Sequence, residues 1–99
     1  MNIPKIHKDD VGTKIILDVG TDVSTATDLR IVYKKPNGVS GYWPAQLDPE
    51  DPTKIYYIVQ EGDLDVVGVW IVQAYVEMPS WKGHGTEAKF NVVGHIEVN

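Results

Sequence analysis

From Val67 to Met78 the chain is β-branched and aromatic almost throughout, with Gly68 near its start and Pro79 just beyond its end. Crowding at Cβ disfavours a helix and suits a pleated strand, so this run predicts a long β-strand. Side chains alternate across a strand, which places Trp70, Val72, Ala74, Val76 and Met78 on one face. Val69, Ile71, Gln73, Tyr75 and Glu77 fall on the other. The first set is wholly apolar and the second is mixed, which describes a central strand of a sandwich, buried on one side and partly covered on the other. The lead-in Glu61-Gly62-Asp63-Leu64-Asp65 is turn chemistry, delivering the chain into that strand from a second sheet. Gly62, Asp63, Asp65, Gly68 and Trp70 are therefore read as a structural corner, with Trp70 as its buried anchor.

Other stretches alternate in the same way. Thr13–Val19 puts Ile15, Leu17 and Val19 inward and Lys14, Ile16 and Asp18 outward. Leu29–Lys35 follows a loop rich in Thr, Ser and Asp, and Pro36-Asn37-Gly38 supplies a hairpin turn. The return strand, Val39 to Leu47, contains Pro44, which cannot donate to a ladder; it is expected at a sheet edge or broken there. Strands are also read at Lys54–Gln60 and Thr86–Val93, with a short one near Ile3–Asp9. Pro79–Gly85 reads as a hairpin loop. Short strands separated by turns roughly every 8 to 12 residues are the pattern of an all-β, immunoglobulin-like antiparallel β-sandwich of about seven strands. The 99 residues make one domain, 1–99, because two halves would each be too small to bury a core.

Composition narrows the chemistry. There is no cysteine, hence no disulfide, no Cys-based zinc site and no thiol nucleophile. A formal net charge of −5 argues against nucleic acid, since phosphate neutralisation needs clustered Lys and Arg. The single basic pair, Lys34-Lys35, flanks a turn. No apolar run approaches the ~18 residues of a membrane span, and the N-terminus has no apolar signal-peptide core, so synthesis in the cytoplasm is expected. His7, His84 and His95 are scattered, without the i, i+2 spacing that would place two imidazoles on one strand face, so no metal site is expected from them. The acidic loop Asp48, Glu50, Asp51 is stiffened by two prolines and lacks a calcium-loop spacing. Asp63 and Asp65 could be imagined as a catalytic carboxylate pair, but Asp in such a turn caps backbone amides. Catalysis and cofactors are not expected. The aromatic residues offer the better lead. With Trp70 as the one tryptophan in the core, Trp43, its neighbour Tyr42 and Trp81 become candidate partner-contact residues, because exposed aromatics are enriched at contact surfaces.

The run Asp22-Val23-Ser24-Thr25-Ala26-Thr27, followed by Lys34-Lys35-Pro36-Asn37-Gly38, resembles a recurrent immunoglobulin-like module of tailed bacteriophage and prophage structural proteins. So does Gly62-Asp63-Leu64-Asp65-x-x-Gly68-x-Trp70-x-x-Gln73-Ala74-Tyr75, together with the closing Phe90-Asn91-Val92. Similar modules stand at the N-terminal end of phage baseplate upper proteins, and the resemblance spans roughly residues 11–93. It implies a virion component docking on tail, baseplate, neck or capsid proteins, with homo-oligomers allowed and no catalytic residues or cofactor. Because the long distal region of the baseplate proteins is missing here, a small accessory structural protein is the expectation, engaging partners by its sheet edges and by Trp43 and Trp81. The alternative is a carbohydrate-binding or adhesive sandwich that stacks sugars on tryptophan.

Overall fold

The structure, a computed structural model, describes residues 5–96; the strand read at Ile3 and the tail Glu97–Asn99 extend outside them. Nine strands and no helix occur among the described residues: β1 Lys5–His7, β2 Lys14–Asp18, β3 Asp28–Lys34, β4 Ser40–Pro44, β5 Gln46–Leu47, β6 Lys54–Ile58, β7 Gly68–Met78, β8 Trp81–His84 and β9 Ala88–Val93. The larger sheet has the order β1-β9-β7-β3-β4, with β8 also on β7, and the smaller has the order β2-β6-β5. They pack as an all-β, immunoglobulin-like sandwich. Pairing is antiparallel except for β1 on β9.

The long strand organises the larger sheet. One side of β7 pairs along its length with β3, from Ile71 opposite Lys34 to Glu77 opposite Asp28. Its other side is shared, Gly68–Val72 with β9 and Tyr75–Met78 with β8. The loop reading of Pro79–Gly85 is therefore corrected. Only Pro79 and Ser80 turn, and Trp81–His84 return along β7 as a strand.

The strand read from Val39 to Leu47 divides at Pro44. The amide of Ala45 makes the last bond to the larger sheet, donating to the Leu29 carbonyl at 2.9 Å. Gln46 and Leu47 then pair with β6 in the smaller sheet. A proline at the end of β4 suits this, because β4 is the sheet's last strand and the missing donor is not needed there.

The core lies between the sheets and is built on an aromatic stack that joins them. Tyr57 of β6 stacks on Trp43 of β4 at 5.0 Å and 7°, Trp43 on Trp70 at 6.0 Å, and Trp70 on Phe90 at 5.8 Å. Ile31, Ile55, Val59, Leu64, Val76 and Val92 are sealed from solvent around it. Such ring pairs contribute roughly 0.5–1.5 kcal/mol each beyond the area they bury.

At the crossing from β6 to β7, Gly62 takes a positive φ of 85°. Asp63 Oδ2 accepts hydrogen bonds from the Tyr57 hydroxyl at 2.6 Å and the Gln60 amide at 2.7 Å. Burial, then the bond to Asp63, raises the Tyr57 phenol far above its ordinary value. Because the folded chain holds this proton more tightly than the unfolded one, the stabilisation is complete below the ordinary phenol value of about 10 and declines as pH climbs beyond it. Urea midpoints should therefore fall from about pH 10 upward, and Tyr57→Phe should flatten that fall. An equal alkaline slope in the variant would show that Tyr57 is not its source.

Candidate functional site

The sequence-read candidates separate into three environments. Trp43 is only 5% exposed. It stands directly opposite Ile31 on the inner face of the larger sheet, so it is a core residue and not a partner contact. The expectation that only one tryptophan is buried fails because Trp43 and Trp70 lie nearly parallel, 19° apart, and stack as one slab. Trp81 is 47% exposed, but its indole occupies the space a side chain on Gly83 would need, with Cζ2 at 2.6 Å from that Cβ position. One face of the ring is thus laid on its own strand. Tyr42 is 54% exposed and points outward from β4.

The corner residues serve structure. Lys35 Nζ meets Asp65 Oδ1 at 2.9 Å and lies 5.6 Å from the Trp70 ring centre. Trp70 is fully buried, and its Nε1 donates to the Val66 carbonyl at 2.9 Å. Gly68 abuts the Pro36 ring. The acidic turn carboxylates cap backbone: Asp48 accepts from the Glu50 amide at 2.9 Å, and Asp51 from both the amide and hydroxyl of Thr53. Those Thr53 bonds hold the Asp51 carboxyl below its usual pKa. His84 packs its ring against Tyr75, and His95 reaches Asp9 at 3.1 Å. Among the described residues no group of three His, Asp or Glu side chains could hold a metal ion.

The surface that stands out is the outer face of the larger sheet. Register alone assembles it: Val32 lies between Gln73 and Tyr42, Arg30 between Tyr75 and Pro44, and Ile71 between Lys89 and Lys34. Arg30 donates from Nε to Asp28 at 2.8 Å, while its guanidinium carbon lies 4.5 Å from the Tyr42 ring centre and 5.7 Å from that of Tyr75. Tyr75 donates to Glu77 at 3.0 Å, and this bond, with Lys82 beyond it, holds the Glu77 carboxyl below its usual pKa. Gln73 Nε2 donates to the Gly85 carbonyl at 2.9 Å, tying the face to the loop after β8. A groove of about 520 Å³ crosses it, lined by Val32, Lys34, Tyr42, Ile71, Gln73 and Glu87 among others. Sequence reasoning named Tyr42 but missed Arg30 and Tyr75. The signal was present, since both fall on the outward phase of strands already read.

No family model matches the chain, and no curated protein matches it. Among solved structures it resembles CopC from Methylosinus trichosporium OB3b, with a TM-score of 0.63 and 18% identity over 97% of this chain and 90% of that one. The likeness is one of fold. It also corrects the expectation of a bacteriophage virion protein, because this solved structure of matching fold is not a phage protein. The physical reason lies in the motifs themselves. Lys35, Pro36, Asp65, Gly68 and Trp70 meet at one corner, where they encode a packing solution that many functions can share. The sugar-stacking alternative loses Trp43, which is buried, and is left with the outward face of Trp81.

Proposed function

We propose that this chain is a non-catalytic binding module whose working surface is the outer face of the larger sheet and whose partner is a protein. The observation that carries the reading is the cross-strand cluster in which Arg30 lies against Tyr42 and near Tyr75, flanked by Val32 and Ile71. Tyrosine and arginine are the residues enriched where proteins meet, and a rigid sheet presents them at little entropic cost. In support of a non-catalytic role, the acidic turns use their carboxylates to cap backbone amides.

A metal-handling role is the reading a CopC likeness invites. The donor set does not favour it, for His84 packs on Tyr75, His95 bonds Asp9, and no three-ligand group forms among the described residues. The docking proposal is tested by placing a photo-crosslinking phenylalanine analogue at Tyr42 and, as control, at Val11, exposed in a loop that does not line the groove. In the producing cell, position 42 should yield a discrete protein adduct that Arg30→Ala weakens and position 11 does not yield. Equal labelling at both positions, or none at 42, would remove the face from consideration.

A further inference from the structure

The smaller sheet leaves one edge open, without the proline, bulge or inward charge that blunts many others. Among the described residues strand β2 pairs only with β6. The Val59 amide donates to the Thr13 carbonyl, and the Val19 amide to the Thr53 carbonyl, at 2.9 and 2.8 Å. Bonded pairs alternate along an antiparallel ladder, so Ile15 and Leu17 make the remaining bonds to β6. The N–H and C=O groups of Lys14, Ile16 and Asp18 therefore point away from the sheet. Exposed edges are usually blunted by proline, a bulge or an inward charge. The edge at β4 ends in Pro44, whereas β2 has no proline and keeps regular alternation, with Ile16 48% exposed at its centre. Beside β2 runs a groove of about 270 Å³ lined by Ile6, Ile15, Leu17, Ala88 and Phe90 among others.

The strand is also complementary to itself. In Lys14-Ile15-Ile16-Leu17-Asp18 a lysine and an aspartate stand two residues either side of Ile16. We propose that β2 pairs antiparallel with β2 of a second copy about a twofold axis through Ile16. Ile16 then faces Ile16, and each Lys14 faces an Asp18 on the outer surface. The outward-pointing backbone groups close a ladder of about six hydrogen bonds. Opposite charges directly across a pair favour this register, and a one-residue slip would break it. Tyr56, already opposite Ile16 in β6, extends the central row to Tyr56-Ile16-Ile16-Tyr56. The contact is isologous and closes at two copies. It lies on the smaller sheet, leaves the Tyr42 face of both copies free, and so goes beyond the function proposed above by making the module bivalent.

Sedimentation equilibrium across a dilution series is expected to show a dimer that dissociates on dilution and is weakened by salt. Lys14→Asp alone, or Asp18→Lys alone, sets like charges opposite each other and should weaken the dimer about tenfold or more. Mixing those two variants should restore pairing as a heterodimer, since each then opposes Asp to Lys at both ends. Ile16→Pro removes an N–H that the chain's own ladder does not use, so its circular dichroism should be unchanged while the dimer is lost. A wild-type chain that stays monomeric at every concentration overturns the proposal. A dimer indifferent to all three substitutions, or single variants that fail to pair when mixed, overturns it as well.

Discussion

Trp70→Ala is expected to lower the unfolding free energy by about 3–5 kcal/mol, measured by urea denaturation followed by circular dichroism. Trp70 is fully buried, in the middle of the stack that runs from Tyr57 to Phe90. Truncation removes two ring contacts with known partners, the tilted contact with Tyr33 at 5.6 Å, and the bond from Nε1 to Val66. The surrounding strands are fixed by ladders on both sides of β7 and cannot collapse into the cavity, which places the cost toward the upper end. A domain of this size commonly has roughly 5–15 kcal/mol in total, so the variant should be partly unfolded at moderate temperature. Trp81→Ala is the control: half-exposed and at the end of the sheet, it should cost about 1 kcal/mol or less. Equal costs for the two would mean that the stack does not organise the core.

The alternation of period two made much of this architecture readable. In β2 and β7 the inward and outward sets follow directly from sequence, and they include both Ile16 and the outer row of β7. Trp43 was misplaced although its position could be worked out. The bond from the Lys35 amide to the Val39 carbonyl closes the hairpin, and counting back from it sets Ile31 opposite Trp43. An inward Ile31 therefore requires an inward Trp43. A sandwich of this size holds both Trp43 and Trp70 because the two rings stack nearly parallel, which composition alone does not show. Strand β8 was hidden for a different reason. Gly83 and Gly85 look like loop residues, yet Gly83 is small because the Trp81 indole lies over it. The candidate surface was less legible still, since Arg30, Tyr42 and Tyr75 are far apart in sequence and meet only through the pairing of β3 with both β4 and β7. Function was least legible, because the most recognisable motifs belong to the corner and report how the chain packs.

Gly68→Ala should cost about 2–4 kcal/mol, more than any other glycine-to-alanine change at the corner. Two effects combine there. Gly68 has a φ of +133°, which L side chains rarely adopt, and the Cβ of an alanine would stand 2.7 and 2.8 Å from Cγ and Cβ of Pro36. Neither the proline ring nor the first residue of β7 can yield easily, because Lys35, next to Pro36, is tied to Asp65 and Gly68 is paired with Val92. Gly62 separates the two effects. It has a φ of +85° with nothing within 4 Å of its Cβ position, so Gly62→Ala carries backbone strain alone, about 1 kcal/mol. The contact contribution is tested by a double-mutant cycle with Pro36→Ala. Removing the ring should recover about 1 kcal/mol or more of the Gly68→Ala loss and none of the Gly62→Ala loss. Additive behaviour of Gly68→Ala with Pro36→Ala would place the whole cost in the backbone, and the corner would then be held by conformation and not by the meeting of Pro36 with Gly68.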